Sequence, residues 1–227
     1  MTLGNLFCGC MALLNAFEGQ LVAASGFVLI ALLLDFFDGF TARLLKVSSP
    51  IGKDLDSLAD MVTFGVLPGF FMYYLMKESL AGHPGIPEEL PLSGFVITLF
   101  SCIRLARFNN DTRQSDQFIG VPTPANTMFI SSIGYLYQSE PEKVAFLVQP
   151  WILLVLAVVS AYLLIAEVPL IALKFKNFGW SGNVFRYLLL AISLILLAIW
   201  QVGAFPLVIV LYILLSIVNN IFSKKAV

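Results

Sequence analysis

Apolar stretches long enough to cross a bilayer follow one another through this 227-residue chain almost without interruption, which leaves it few possible folds. A helix needs about 20 apolar residues to span the hydrocarbon core. Such stretches run near 3–17, 20–46, 54–76, 92–109, 121–138, 144–167, 184–201 and 204–222. The breaks carry turn or helix-ending chemistry: Glu18-Gly19, Ser48-Ser49-Pro50, Gly82-His83-Pro84-Gly85, Glu140-Pro141-Glu142, and Gly203 with Pro206. Only 12% of the residues are charged, about half the usual share for a soluble domain. We therefore expect an all-α polytopic membrane bundle of about eight transmembrane helices, with six as the fallback. Residues 1–227 would form a single integral-membrane domain closed by a C-terminal helical hairpin at 184–222.

The first residues lack a basic n-region and apolar segments continue to the end, so no cleavable signal peptide is expected. Basic residues orient the bundle. With the N-terminus inside, eleven of the thirteen Lys and Arg fall on one face, among them Arg43, Lys46, Lys53, Arg104, Arg107, Arg113, Lys174, Lys176 and Arg186. Lys77 and Lys143 remain on the other, with Glu18, Glu78, Glu88, Glu89, Glu140 and Glu142. By the positive-inside rule both termini lie in the cytoplasm. No basic stripe suits a nucleic-acid groove, so no nucleic-acid partner is expected. Cys8, Cys10 and Cys102 form no CxxC and read as small buried apolar residues. His83, the single histidine, lies in a loop sequence, which excludes chemistry that needs paired histidines.

The polar residues that break the apolar pattern are concentrated between 35 and 60. Asp35 and Asp38 are spaced i,i+3 near the cytoplasmic end of the second stretch, and Asp56 and Asp60 i,i+4 at the start of the third. Each spacing puts two carboxylates on one helix face, and the turn from Ser48 to Gly52 folds the faces together. One aspartate at the membrane centre costs about 2.5–3.5 kcal/mol and less near the interface. Four crowded like charges also repel, and divalent cations relieve both problems. An all-oxygen set favours magnesium or manganese over zinc, with calcium a possible competitor. Gly39 and Ala42 share a stripe with Asp35 and Asp38, leaving a notch for a flat ligand. Arg43 supplies a planar fork for a carboxylate or phosphate, and Gly52 lets the turn come close. Asp54 points off the Asp56/Asp60 face and reads as a solvated charge at a helix N-terminus.

The pattern D-x2-D-G-x2-A-R-x8-G-x3-D-x3-D, filled by Asp35, Asp38, Gly39, Ala42, Arg43, Gly52, Asp56 and Asp60, resembles the signature of the CDP-alcohol phosphotransferases at every fixed position. That resemblance implies two divalent ions clamping the pyrophosphate of a CDP-linked substrate. Asp35, Asp38 and Asp56 would be the principal metal ligands, and Asp60 the base for the acceptor hydroxyl as well as a possible ligand. Asn5, Gly39, Ala42 and Gly52 would contact the nucleotide or CDP-lipid, and Arg43 would orient the site. It also implies a homodimer, and an interfacial helix ahead of Thr2 that is missing or truncated here.

Further segments are similar to the serine-using branch of that family. They are Thr2 to Gly9, Arg104-Leu-Ala-Arg107-Phe108-Asn109, Phe118 to Ala125 with Pro122-Thr123-Pro124, and Lys174-Phe-Lys176. The branch implies CDP-diacylglycerol and L-serine as substrates, with Arg104, Arg107, Phe108 and Asn109 binding serine within an acceptor-side segment at 104–125. An arginine fork suits a carboxylate bidentately. Two other activities remain open on the residues alone. One is the same transfer to glycerol 3-phosphate or an inositol compound. The other is a cation transporter, disfavoured because acidic residues do not continue across the membrane and no internal repeat is evident.

Overall fold

The computed structural model describes residues 1–45, 49–110, 118–171, 179 and 183–224, without the side chains of Arg43, Pro50, Phe118, Phe222, Ser223 and Lys224. Helix α1 covers Thr2–Phe17 and α2 Leu21–Leu45. The turn between them needs a backbone at positive φ, which Gly19 supplies at +75°. Gln138 pins this corner from the side: its Oε1 accepts from the Val22 N–H at 2.7 Å, and its Nε2 donates to the Gly19 carbonyl at 3.0 Å. Buried alanines at 12, 16 and 24 let α1 and α2 approach closely.

Helix α3, Pro50–Asp60, starts where Ser49 caps it: Ser49 Oγ accepts from the Gly52 N–H at 3.0 Å. It runs without a break into a π-helical segment, Met61–Val66, and then α4, Leu67–Leu80. A 3-10 turn at Leu90–Phe95 leads into α5, Val96–Asn110. After β1, Phe118–Ile119, come α6 at Thr123–Ser139, the short α7 at Pro141–Val144, and α8 at Pro150–Ile165. Strand β2, Pro169–Leu170, pairs antiparallel with β1, Phe118 opposite Leu170. Helices α9, Val184–Trp200, and α10, Phe205–Lys224, pack on each other across a 3-10 turn at Gln201–Ala204.

An apolar core joins α1, α2, α4, α5, α6 and α8, built around Leu21, Val28, Leu67, Phe71, Met72, Ile130, Ile133 and Leu153. Among the described residues, four stretches are long and apolar enough to cross a membrane: Leu21–Ala42, Ile51–Leu80, Leu90–Asn110 and Val184–Ile221, the last including both hairpin helices. Thr2–Phe17 and Pro150–Ile165 are shorter apolar helices. The molecule is a helical membrane bundle, and the roughly eight apolar stretches of the sequence correspond to its main helices.

Three details differ from the sequence expectation. The stretch expected at 144–167 is helical only from Pro150 to Ile165, as α8, because Pro150 opens that helix, and Val144 instead ends the short α7. The β1–β2 ladder is an addition. Cys8 is buried as expected, but Cys10 and Cys102 face outward, because in lipid an outward apolar side chain needs no protein cover.

A candidate metal centre between two hollows

Asp35 lies ten residues before the end of α2, and Asp56 and Asp60 stand one turn apart on α3. The α2–α3 turn brings the three together, so that one carboxylate oxygen from each lies within 4.8 Å of the other two. All three are half-buried. At that separation each pair of charges repels by about 3–4 kcal/mol for an effective dielectric near 20. A divalent cation among them converts repulsion into attraction, and an all-carboxylate donor set suits a hard ion of the magnesium or manganese class. These three aspartates can therefore hold a metal.

Asp38 stands one step aside. It accepts a hydrogen bond from the Thr2 hydroxyl, remaining within electrostatic reach of Asp35 and Asp56. The aspartates thus group as Asp35, Asp56 and Asp60 together with Asp38 adjacent; the family resemblance implies Asp35, Asp38 and Asp56 as principal ligands and Asp60 as base and possible ligand. Asp54 is exposed, in keeping with a solvated charge.

Two hollows open beside the carboxylates. One, of about 380 Å³, is lined by Thr2, Asp38, Gly39, Ala42, Ser49, Gly52, Lys53 and Asp56. Three of the four expected nucleotide contacts, Gly39, Ala42 and Gly52, thus lie in a single hollow. A Cβ added at Gly39 would meet no atom within 4 Å, so packing does not demand glycine there and the space above it is open to a ligand. The other hollow, of about 340 Å³, is lined by Asp35, Phe36, Gly39, Asp56, Asp60, Arg104, Leu105, Phe108 and Pro122 to Pro124. Gly39 and Asp56 line both. Arg104 is 5% exposed, and its guanidinium lies 5.3 Å from the centre of the Phe108 ring.

The remaining candidates lie outside the hollows. Asn5 is completely buried beneath Asp60 and donates from Nδ2 to Asp60 Oδ1 at 3.0 Å. Asn109 joins α5 to α3: its Nδ2 donates to Ser57 Oγ at 2.7 Å, and its carbonyl accepts from Lys53 Nζ at 2.6 Å. Arg107 is exposed and lines neither hollow. The Arg43 side chain, and residues Lys46, Arg113, Lys174 and Lys176, lie outside the described residues.

A model of the CDP-alcohol phosphatidyltransferase family matches residues 1–173, which include all four aspartates and both hollows. The chain belongs to that family. Among curated relatives of this CDP-alcohol phosphatidyltransferase is the CDP-diacylglycerol–serine O-phosphatidyltransferase of Bacillus subtilis. It is 33% identical over 137 residues, 60% of this chain and 74% of that protein. Its namesake in Helicobacter pylori strain J99 is 37% identical over 131 residues, 57% of this chain and 53% of that protein. The Mycobacterium leprae protein of the same name is 31% identical over 180 residues, 75% of this chain and 56% of its own length. The chain therefore spans little more than half of the latter two relatives.

Some residues of this phosphatidyltransferase gain a place at the site only through the fold. Ser49 and Lys53 enter the first hollow from the start of α3, and Leu105 and Phe36 enter the second. The Pro122-Thr123-Pro124 corner is aimed by the β1–β2 ladder. Gly120, at φ +76°, presses so closely on the Leu164 carbonyl that a Cβ would come within 2.7 Å. The next N–H, of Val121, donates to the Leu163 carbonyl at 2.9 Å. The one sequence clue to this corner was proline on either side of a threonine. The π segment had none. Its widened turns leave carbonyls for neighbouring hydroxyls: Phe64 C=O accepts from Thr127 Oγ1 at 3.2 Å, and Gly65 C=O from Thr98 Oγ1 at 3.0 Å.

Proposed function

We propose that this enzyme transfers the phosphatidyl group of CDP-diacylglycerol to L-serine, forming phosphatidylserine and CMP. The observation that carries this reading is the carboxylate cluster at the junction of two hollows, one floored by Gly39, Ala42 and Gly52 and the other walled by Arg104 and Thr123. Relatives that carry the serine-transferase name support the acceptor.

In the proposed arrangement CDP occupies the first hollow, where the open backbone face of Gly39 admits the pyrophosphate and Lys53 adds positive charge. The acyl chains extend into the bilayer past the exposed rings of Phe36, Phe37 and Phe40. Serine enters the second hollow with its carboxylate toward Arg104, a pairing for which guanidinium geometry is suited. Gly39 and Asp56, common to both hollows, mark where the reacting groups meet. Asp60 takes the proton of the serine hydroxyl as that oxygen bonds to the phosphatidyl phosphorus. The bond from that phosphorus to the CMP oxygen breaks, and CMP leaves with the electron pair. Divalent ions of the magnesium or manganese class, two by the family resemblance, would be held by Asp35, Asp38, Asp56 and Asp60 and would supply neutralisation of phosphate charge. We further propose that the site and both termini face the cytoplasm and that residues 1–227 act as one domain.

An acceptor panel tests the assignment. Purified protein with CDP-diacylglycerol and manganese is expected to release CMP with serine and not with glycerol 3-phosphate or inositol compounds. Release without any acceptor, or equal release with glycerol 3-phosphate, would contradict it.

A further inference from the structure

Asn5 has no exposed surface and lines neither hollow, so a direct nucleotide contact is not open to it. Its Nδ2 is committed to Asp60 Oδ1 at 3.0 Å, across 55 positions of sequence. Its own Oδ1 is buried and has no hydrogen-bond partner among the described residues. A buried amide left half-satisfied is destabilising compared with an apolar residue of similar size. Such a group in a packed helix interface calls for a reason other than stability.

The backbone around Asn5 is held in register with the segment that follows Asp60. The Asn5 carbonyl accepts from Thr63 Oγ1 at 3.3 Å, and the Asn5 N–H donates to the Met1 carbonyl at 3.0 Å. One turn on, Gly9 presents no side chain where Thr63 packs, and a Cβ there would overlap the threonine. Helix α1 is therefore fitted against the π segment, and Asn5 is the residue through which that fit reaches the carboxylate. A carboxylate rotates about its last torsion with little restraint, and a donor fixed to one oxygen selects one orientation.

We propose that Asn5 is a positioning residue for Asp60: it fixes the rotation of that carboxylate so that Asp60 is correctly presented to the metal and to the acceptor hydroxyl. The proposal rests on the role assigned to Asp60 above, and deepens it. Residues that orient a ligand from behind typically change metal affinity or activity by about 10–100-fold.

The test uses the full chain in nanodiscs, as wild type, Asn5→Leu, Asn5→Ala, Asp60→Asn and the Asn5→Ala/Asp60→Asn double variant. Three quantities are measured: thermal midpoint, manganese affinity by electron paramagnetic resonance, and CMP release with whichever acceptor the wild type uses. For Asn5→Leu, manganese affinity and kcat are expected to fall by about 10-fold or more, the midpoint to stay level or rise, and the acceptor KM to stay within about twofold. Asn5→Ala gives the same pattern if leucine does not fit the site. The double variant is expected to be no worse than Asp60→Asn alone, as for residues that act as a unit. Losses that track a falling midpoint in both Asn5 single variants would overturn the proposal, as would unchanged affinity and kcat, or fully additive losses in the double variant. If the wild type releases CMP only with an acceptor other than serine, the serine assignment fails while the Asn5 comparison stands.

Discussion

In the proposed reaction Asp60 serves two partners, a cation shared with Asp35 and Asp56 and a hydroxyl arriving from the Arg104 side. Replacement by asparagine keeps the shape and the contact distance to Asn5 but removes the proton acceptor. Serine-dependent CMP release by Asp60→Asn is expected to fall by about 10²–10⁴-fold, the usual contribution of a general base, when measured at saturating metal. Gly39 gives a different signature. Because a Cβ there would meet nothing within 4 Å, Gly39→Val should leave the thermal midpoint nearly unchanged while raising the KM for CDP-diacylglycerol at least about tenfold. A drop in midpoint without a KM change would show the glycine to be a packing residue. The aspartates were legible in the sequence because i,i+3 and i,i+4 spacing is a local property of helices. Asn5 was not legible in the same way, since its partner lies 55 positions away and only the folded α1–α3 contact reveals it.

At the scale of elements, the π segment and the last helix both act on the site from outside it. The π turn at Met61–Val66 is packed so tightly under α1 that Gly9→Ala would press into Thr63. Overpacking of this kind costs about 1–3 kcal/mol, seen as a lowered thermal midpoint with activity loss in parallel. Helix α10 carries Tyr212, Ser216 and Asn220 on one stripe. Tyr212 OH donates to the Ile171 carbonyl at 3.1 Å, Ser216 Oγ accepts from the Ile171 N–H at 3.1 Å, and Asn220 Nδ2 donates to the Pro169 carbonyl at 2.6 Å. These bonds hold β2, which pairs with β1 and so aims the Pro122–Pro124 corner. The Tyr212→Phe/Ser216→Ala double variant is expected to lose about 1–3 kcal/mol of local protection, read as faster amide exchange at 170–171 and 118–121. Unchanged exchange there would separate α10 from the site. Helices were legible because about 20 apolar residues suffice to mark one. Two-residue strands have no period to detect, and the π turn depends on threonines from α5 and α6 that no local window contains.

Across the whole molecule, Lys53 and Arg104, two of the basic residues expected on the cytoplasmic face, line the hollows beside the aspartates, in keeping with the proposed cytoplasmic site. The orientation is open to a labelling test. With Cys8, Cys10 and Cys102 replaced by serine, a membrane-impermeant maleimide added to intact cells is expected to label Glu142→Cys and not Asp54→Cys. The opposite pattern would invert the bundle. The bundle itself could be read from apolar length alone, but the choice of acceptor could not. The proposed acceptor site rests on Arg104, Phe108 and the Pro122–Pro124 corner, which meet in one hollow from segments separated in sequence.

The central claim is that the serine hydroxyl attacks the phosphatidyl phosphorus at this carboxylate centre. It is tested most directly with serine carrying heavy oxygen in its hydroxyl, incubated with CDP-diacylglycerol and the purified enzyme and followed by mass spectrometry. The expected result is phosphatidylserine that retains the label, CMP that does not, and no product when the metal is chelated. Labelled CMP, phosphatidic acid as the lipid product, or unlabelled phosphatidylserine would contradict the account.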